Sequence, residues 1–153
     1  MALYLVQHGK SLPKEQDPER GLSEEGTSEV KQVAATAARQ NIPVFHIVQS
    51  GKKRARQTAE IFGKALQPLH GVSEAGGLTP LDDVKRFAAE INCDDNLMVV
   101  GHLPFMERLT SYLITGSTDK PVIKFQNSGI VCLDSEDASE PWFIRWALFP
   151  RFD

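Results

Sequence analysis

The feature that most narrows the folds open to this chain is an apolar run near its start, Leu3-Tyr4-Leu5-Val6, broken abruptly by Gln7-His8-Gly9-Lys10-Ser11. Consecutive apolar residues closed by a glycine-containing turn predict a strand buried on both faces, as the strands of a parallel sheet are. Ligands of such sheets collect beyond the carboxyl ends of strands, which is where His8 falls. A lone histidine after a strand commonly does no more than begin a loop. Here a second run, Leu97-Met98-Val99-Val100, ends in Gly101-His102-Leu103-Pro104, so a strand, a glycine and a histidine recur.

Between the two runs the pattern alternates. A polar loop from Leu12 to Gly21 leads to Ser23-Glu24-Glu25, with Ser23 as expected N-cap and acidic residues in the first turn, where the helix dipole favours them. Val30, Val33, Ala34, Ala37 and Ala38 make one apolar stripe through Arg39, and Asn41-Ile42-Pro43 stops that helix. Val44 to Val48 reads as a second buried strand ending at Gln49-Ser50-Gly51, and a second helix runs from Lys52 with Ala55, Thr58, Ala59, Phe62, Ala65 and Leu66 on one face. Leu69 to Leu78 suggests a short edge strand and a loop; Thr79 or Asp82 is expected to cap a helix burying Val84, Phe87, Ala88 and Ile91. Asn92 to Asn96 turn the chain into the His102 strand, Pro104 suits the first turn of a further helix to about Ile114, and Gly116 ends it. Val122 to Gln126, Ile130 to Asp134 and Trp142 to Phe149 carry strand composition, and the last two read as a hairpin around Ser135 to Glu140. Strands alternating with helices, then strands alone, predict a three-layer α/β/α sandwich. Its central sheet is expected to be mostly parallel, with a C-terminal antiparallel hairpin, in a single domain over residues 1–153.

Charge and cysteines set limits on function. With 17 basic and 20 acidic residues interspersed and a net charge of -3, the chain has no global basic field for nucleic acid or an anionic membrane, and any anion site must be local. Cys93 and Cys132 lie far apart, outside metal-binding spacing, and read as small buried residues in a reducing compartment. No apolar run approaches bilayer length, so a soluble, cytoplasmic protein is expected.

Right-handed crossovers would bring the strand ends near His8, Ser50 and His102 to one rim. The second end opens into Ser50-Gly51-Lys52-Lys53-Arg54-Ala55-Arg56, a helix start with four cations in five positions. Lys52, Lys53 and Arg56 read as a solvated basic face. Arg54, one turn in and beside the apolar face, is placed to offer a planar fork to phosphate oxygens. Two histidines and an anion cradle point to phosphoryl chemistry with an imidazole nucleophile, assisted by a second histidine that stabilises charge on the transferring oxygens.

Four ordered motifs now resemble one family. Leu5-Val6-Gln7-His8-Gly9-Lys10-Ser11, Leu22-Ser23-Glu24-Glu25-Gly26, Ser50 to Glu60, and Val99-Val100-Gly101-His102-Leu103-Pro104 look like those of the histidine phosphatase, or phosphoglycerate mutase-like, superfamily. The short chain, His8-Gly9-Lys10-Ser11 and Leu78-Thr79-Pro80 are most similar to its SixA-type phosphohistidine phosphatases. The resemblance implies no cofactor and no metal, His8 as the nucleophile that becomes phosphohistidine, Arg54 binding the phosphoryl group and His102 donating to the same oxygens, with Ser50 in support. It also places the phosphate site at Gln7 and, with less definition, at Lys10. His46 and His70 match no catalytic position and read as a core or edge residue and a loop residue.

One position departs from the pattern. The family has arginine immediately before the nucleophile, and this chain has Gln7, which keeps an amide donor but loses the charge and the fork. Lys10, Arg20 or Lys52 are candidates to compensate. Members that cleave phosphate esters use a carboxylic acid to protonate the leaving alkoxide, for which Glu74, Asp82 and Asp83 are the candidates here. The expected substrate is a phosphorylated protein, such as a histidine phosphotransfer domain, with inorganic phosphate as product. The alternatives are a phosphomonoesterase of small phosphate esters, a mutase, or a catalytically weakened member that binds phosphate or a partner.

Overall fold

The computed structural model describes residues 2–91, 95–137 and 139–152. The expected Cys93 burial and the start of the Asn92 to Asn96 turn lie outside these residues. Among the described residues six strands form one mixed sheet: β1 (Ala2–Gln7), β2 (His46–Gln49), β3 (Val72–Glu74), β4 (Leu97–Gly101), β5 (Ile130–Asp134) and β6 (Phe143–Leu148). Their order across the sheet is β3-β2-β4-β1-β5-β6. The first four are mutually parallel; β5 runs antiparallel to β1 and β6 antiparallel to β5. Among the described residues four helices cover the sheet: α1 (Glu24–Arg39), α2 (Lys53–Leu66), α3 (Val84–Glu90) and α4 (Phe105–Thr115).

The two-faced burial of β1 follows from its unbroken apolar run. Tyr4 and Val6 pack on one side with Val30, Val33 and Ala37 of α1 and Ala59 and Phe62 of α2. Leu3 and Leu5 pack on the other with Phe87 of α3 and Phe105, Met106 and Leu109 of α4. Period-two alternation in the strand thus assigns each residue to one of two cores, which makes the molecule an α/β/α sandwich. Because β1 and β4 are neighbours, with Gln7 opposite Gly101, the residues following them emerge side by side.

Most helix boundaries obey the local chemistry. Ser23 Oγ accepts from the Gly26 amide 3.0 Å away and caps α1. A side chain at Gly26 would run into the backbone carbonyl of Lys10, so this glycine lets α1 seat directly on the loop after His8. Gly116, with φ of 80°, ends α4 in the left-handed conformation.

Three expectations are corrected. Residues 122–126 form no strand: this stretch of chain meets the sheet only at Asn127, in an isolated bridge to Gln7 at the end of β1, which already has β4 and β5 as neighbours, and Phe125 packs into the α3/α4 core. The cap of α3 is neither Thr79 nor Asp82 but Asp83, whose Oδ1 accepts from the Lys85 amide at 3.0 Å. Asp82 is engaged one turn earlier, accepting from the Thr79 amide at 2.8 Å. The second strand begins at His46, two residues later than Val44.

Candidate active site

The carboxyl ends of β1 and β4 and the start of α2 open into a shallow cavity of about 640 Å³ lined by Gln7, His8, Lys10, Arg54 and His102. Ser11, Arg20, Glu25 and Asn127 contribute to the same walls. The imidazole centroids of His8 and His102 lie 5.0 Å apart.

His8 is fixed from three directions. Its amide continues the sheet by donating to the Gly101 carbonyl at 3.0 Å, and its own carbonyl accepts from Asn127 Nδ2 at 2.9 Å. The ring places Nδ1 2.6 Å from the Gly9 carbonyl oxygen, an acceptor only, so Nδ1 carries the proton. Nε2 is then left with its lone pair, and Arg54 Nε donates to it at 3.3 Å. Burial, reinforced by the Arg54 and Arg20 charges and opposed by the Gly9 carbonyl, lowers the His8 pKa from 6.5 to about 4. The histidine is therefore neutral at pH 7, with its unprotonated nitrogen facing the cation.

Thr58, on the buried face of α2, ties this arrangement together. Its hydroxyl donates to the Arg54 carbonyl at 2.7 Å and accepts from the Gly9 amide at 3.0 Å, linking the helix that carries the arginine to the turn that carries the histidine. Burial and the neighbouring Arg20 pull the Arg54 pKa below its ordinary value. The α2 N-terminus has no side-chain cap, leaving first-turn amides available to an anion.

His102 is only 1% exposed. Its Nε2 lies 2.6 Å from Ser50 Oγ, whereas Nδ1 is buried without a hydrogen-bond partner among the described residues. Burial first, then the proximity of His8, Arg54 and Lys52, lowers its pKa from 6.5 to about 3. Ser50 sits behind the histidine and outside the cavity lining. An imidazole starved of an anionic partner beside three cationic or imidazole neighbours is a site primed for a negatively charged ligand.

The other sequence candidates are placed as follows. Gln7 lines the cavity, with Oε1 buried and lacking a partner among the described residues. Lys10 also lines it, but its ammonium is 2.6 Å from Glu25. Glu74, Asp82 and Asp83 are not among the lining residues. Glu74 ends β3 with its carboxylate against Gly51, and the two aspartates hold turn and cap bonds around α3. His46 Nε2 is 2.8 Å from Ser73 Oγ at the β2/β3 edge, and His70 is an exposed turn residue. Asn127, Thr58 and Glu25 join the site through the tertiary fold rather than through a role that any sequence motif gives them. A polar residue on an otherwise apolar helix face was the available signal for Thr58; Asn127 reaches His8 across 119 positions and leaves no local signal.

An α/β sandwich with an uncapped helix start, an arginine and two facing histidines at the carboxyl ends of adjacent parallel strands defines an enzyme of phosphoryl transfer. Comparison with known proteins makes the class specific. The model of the histidine phosphatase superfamily, branch 1, matches residues 3–78. The structure is similar to that of the protein histidine phosphatase SixA complexed with tungstate, with a TM-score of 0.84 and 26% identity over 98% of this chain and 97% of the other. Mycobacterial glucosyl-3-phosphoglycerate phosphatase in complex with VO3 shares the fold at a TM-score of 0.73 and 15% identity, covering 95% of this chain and 97% of that one. In sequence, an uncharacterized protein of Picosynechococcus sp. is 31% identical over 144 residues, 88% of this chain and 86% of its own length. The chain belongs to the histidine phosphatase superfamily, and its fold and paired histidines are those of a histidine phosphatase. Among the described residues, no helix is long and apolar enough to cross a membrane.

Proposed function

We propose that the protein is a phosphohistidine phosphatase acting on a phosphorylated protein, with His8 as nucleophile. In the first step His8 Nε2 attacks phosphorus, the bond from phosphorus to the substrate imidazole breaks, and that imidazole takes its proton from solvent. The Nδ1 proton of His8 stays on the ring and is donated to the Gly9 carbonyl, which stabilises the positive charge the phosphorylated ring acquires. In the second step water attacks the phosphohistidine, His8 leaves as the neutral ring, and orthophosphate and a proton are released. Arg54 holds the equatorial oxygens, and His102 donates to them as negative charge moves through the transition state.

The observation that carries the choice of substrate is the state of Glu25. This carboxylate lines the cavity, but Lys10, 2.6 Å away, lowers its pKa and keeps it ionised. It is an acceptor, not an acid. Alkoxide leaving groups need a positioned proton donor, whereas the ring of a phosphohistidine can take its proton from solvent, so the cavity suits a phosphoramidate better than a phosphate ester. The shallow mouth suits a side chain presented on a protein surface, and the SixA likeness agrees with this reading. The test is phosphate release from a phosphohistidine-bearing phosphotransfer domain and from an aryl phosphate, side by side. Preference for the former by kcat/KM supports the proposal; equal or better ester hydrolysis selects the phosphomonoesterase reading. Release from neither, with binding of the phosphorylated domain retained, selects a phosphate-binding member.

A further inference from the structure

Gln7 leaves the phosphate site without the guanidinium that the family places before its nucleophile, and three cations stand near enough in sequence to replace it. The structure separates them. Lys10 is committed to Glu25 at 2.6 Å and lies 4.0 Å from Glu29. Lys52 belongs to an adjoining surface cavity and is not among the residues lining the one that holds His8. Arg20 lines both cavities and has no carboxylate within ion-pair distance among the described residues; its Nη2 donates to Ser11 Oγ, in the same wall, at 3.3 Å.

We infer that Arg20 is a phosphoryl-binding residue that supplies, from the loop between β1 and α1, the second guanidinium absent at position 7. The loop is built to present it. Arg20 has a φ of 53°, a left-handed backbone that an arginine adopts only where its surroundings impose it. They do so through Asp17, whose carboxylate accepts from the Glu19 amide at 3.0 Å, the Gly21 amide at 2.9 Å and Lys53 Nζ at 2.9 Å. Lys53 is on α2 next to Arg54, so a single carboxylate registers the Arg20 loop against the helix that carries the other guanidinium. The Arg20 charge is felt at both His8 and Arg54, lowering the pKa of each, which places it in the field of the reacting nitrogen. A forked donor on a phosphoryl oxygen gains most when the charge it meets is developing in a partly dry site.

The inference rests on the phosphatase reading, so its test includes a measurement independent of turnover. Orthophosphate binding is followed by calorimetry, and phosphate release from a phosphohistidine protein in parallel, for wild type, Arg20→Ala, Arg20→Lys, Gln7→Arg and the double variant Arg20→Ala/Gln7→Arg, with thermal melts reporting folding. Arg20→Ala is expected to lower kcat/KM by about 100-fold, the scale of one charged transition-state contact, with Arg20→Lys recovering only part. Orthophosphate binding weakens in the same order. Gln7→Arg is expected to raise kcat/KM more in the Arg20→Ala background than in wild type, because the two positions serve one oxygen cluster. An Arg20→Ala variant that folds and binds orthophosphate as wild type does overturns the inference, as does an equal effect of Gln7→Arg in both backgrounds. If wild type releases no phosphate while Arg20→Ala still loses orthophosphate binding, the phosphatase reading fails and the assignment of Arg20 stands.

Discussion

The two histidine turns begin alike, each after an apolar parallel strand, and end in different physical states. His8 is partly exposed, its tautomer set by the Gly9 carbonyl and its free nitrogen turned to Arg54. His102 is buried in the cavity wall, bonded to Ser50 at Nε2 and, among the described residues, without a partner at Nδ1. The first has a defined lone pair and a path to substrate, which is what a nucleophile needs; the second has a held orientation and unspent hydrogen-bonding capacity, which suits a group that answers to charge. One short sequence pattern therefore yields two differently held histidines, and the proposed function gives them different roles.

The largest break in this comparison is His8→Ala, which is expected to lower kcat by about 10⁴-fold or more, since no other group stands in for the attacking nitrogen. His102→Ala is expected to cost about 10²–10³-fold in kcat, with the phosphoenzyme still forming on His8, because it removes stabilisation and leaves the nucleophile in place. Equal losses from the two variants in both formation and breakdown of the phosphoenzyme would erase the proposed division of labour. Ser50→Ala is smaller: freeing one end of His102 is expected to lower kcat about 10-fold, the equivalent of one hydrogen bond of roughly 1.4 kcal/mol, measured in the same assay.

Protons sharpen the contrast without a mutation. Both histidines have folded-state pKa values, about 4 and about 3, below the 6.5 of the unfolded chain. Between pH 6.5 and these values the unfolded state binds more protons, so the contribution of the neutral pair to stability is complete above pH 6.5 and is lost as pH falls towards 4. Thermal melts from pH 7.5 to 4.5 are expected to show falling stability over that window and a shallower fall in His102→Gln. The kcat/KM profile is expected to hold its nucleophile through pH 6 and not to lose it near 6.5. Stability that rises on acidification would contradict the burial of two neutral imidazoles.

Much of this frame is legible in the sequence because its signals are local. The unbroken apolar runs of β1 and β4, the Ser23 cap and the Gly116 stop each depend on a handful of neighbouring residues, and the structure agrees with them. Residues 122–126 mislead because β-branched and aromatic side chains record burial, and the packing of Phe125 and Ile123 beside the sheet looks, in sequence, the same as burial within it. The cap of α3 shifts to Asp83 because Thr79 and Asp82 close a turn with each other. At the site, the two histidines and Arg54 are readable as residue types at strand and helix ends. The bonds that set their chemistry are not: Thr58 joins two elements 49 positions apart, Asn127 reaches His8 through the tertiary fold alone, and Arg20 enters the cavity because of a carboxylate clasp.

The central claim, that His8 and not His102 accepts the phosphoryl group, is tested most directly by trapping the intermediate. Wild type mixed with a phosphohistidine-bearing protein, quenched in base within milliseconds and mapped by mass spectrometry, should carry phosphate on His8, at Nε2 by the phosphorus chemical shift. Phosphate mapped to His102, or release of orthophosphate by a folded His8→Ala variant at the wild-type rate, would contradict the account.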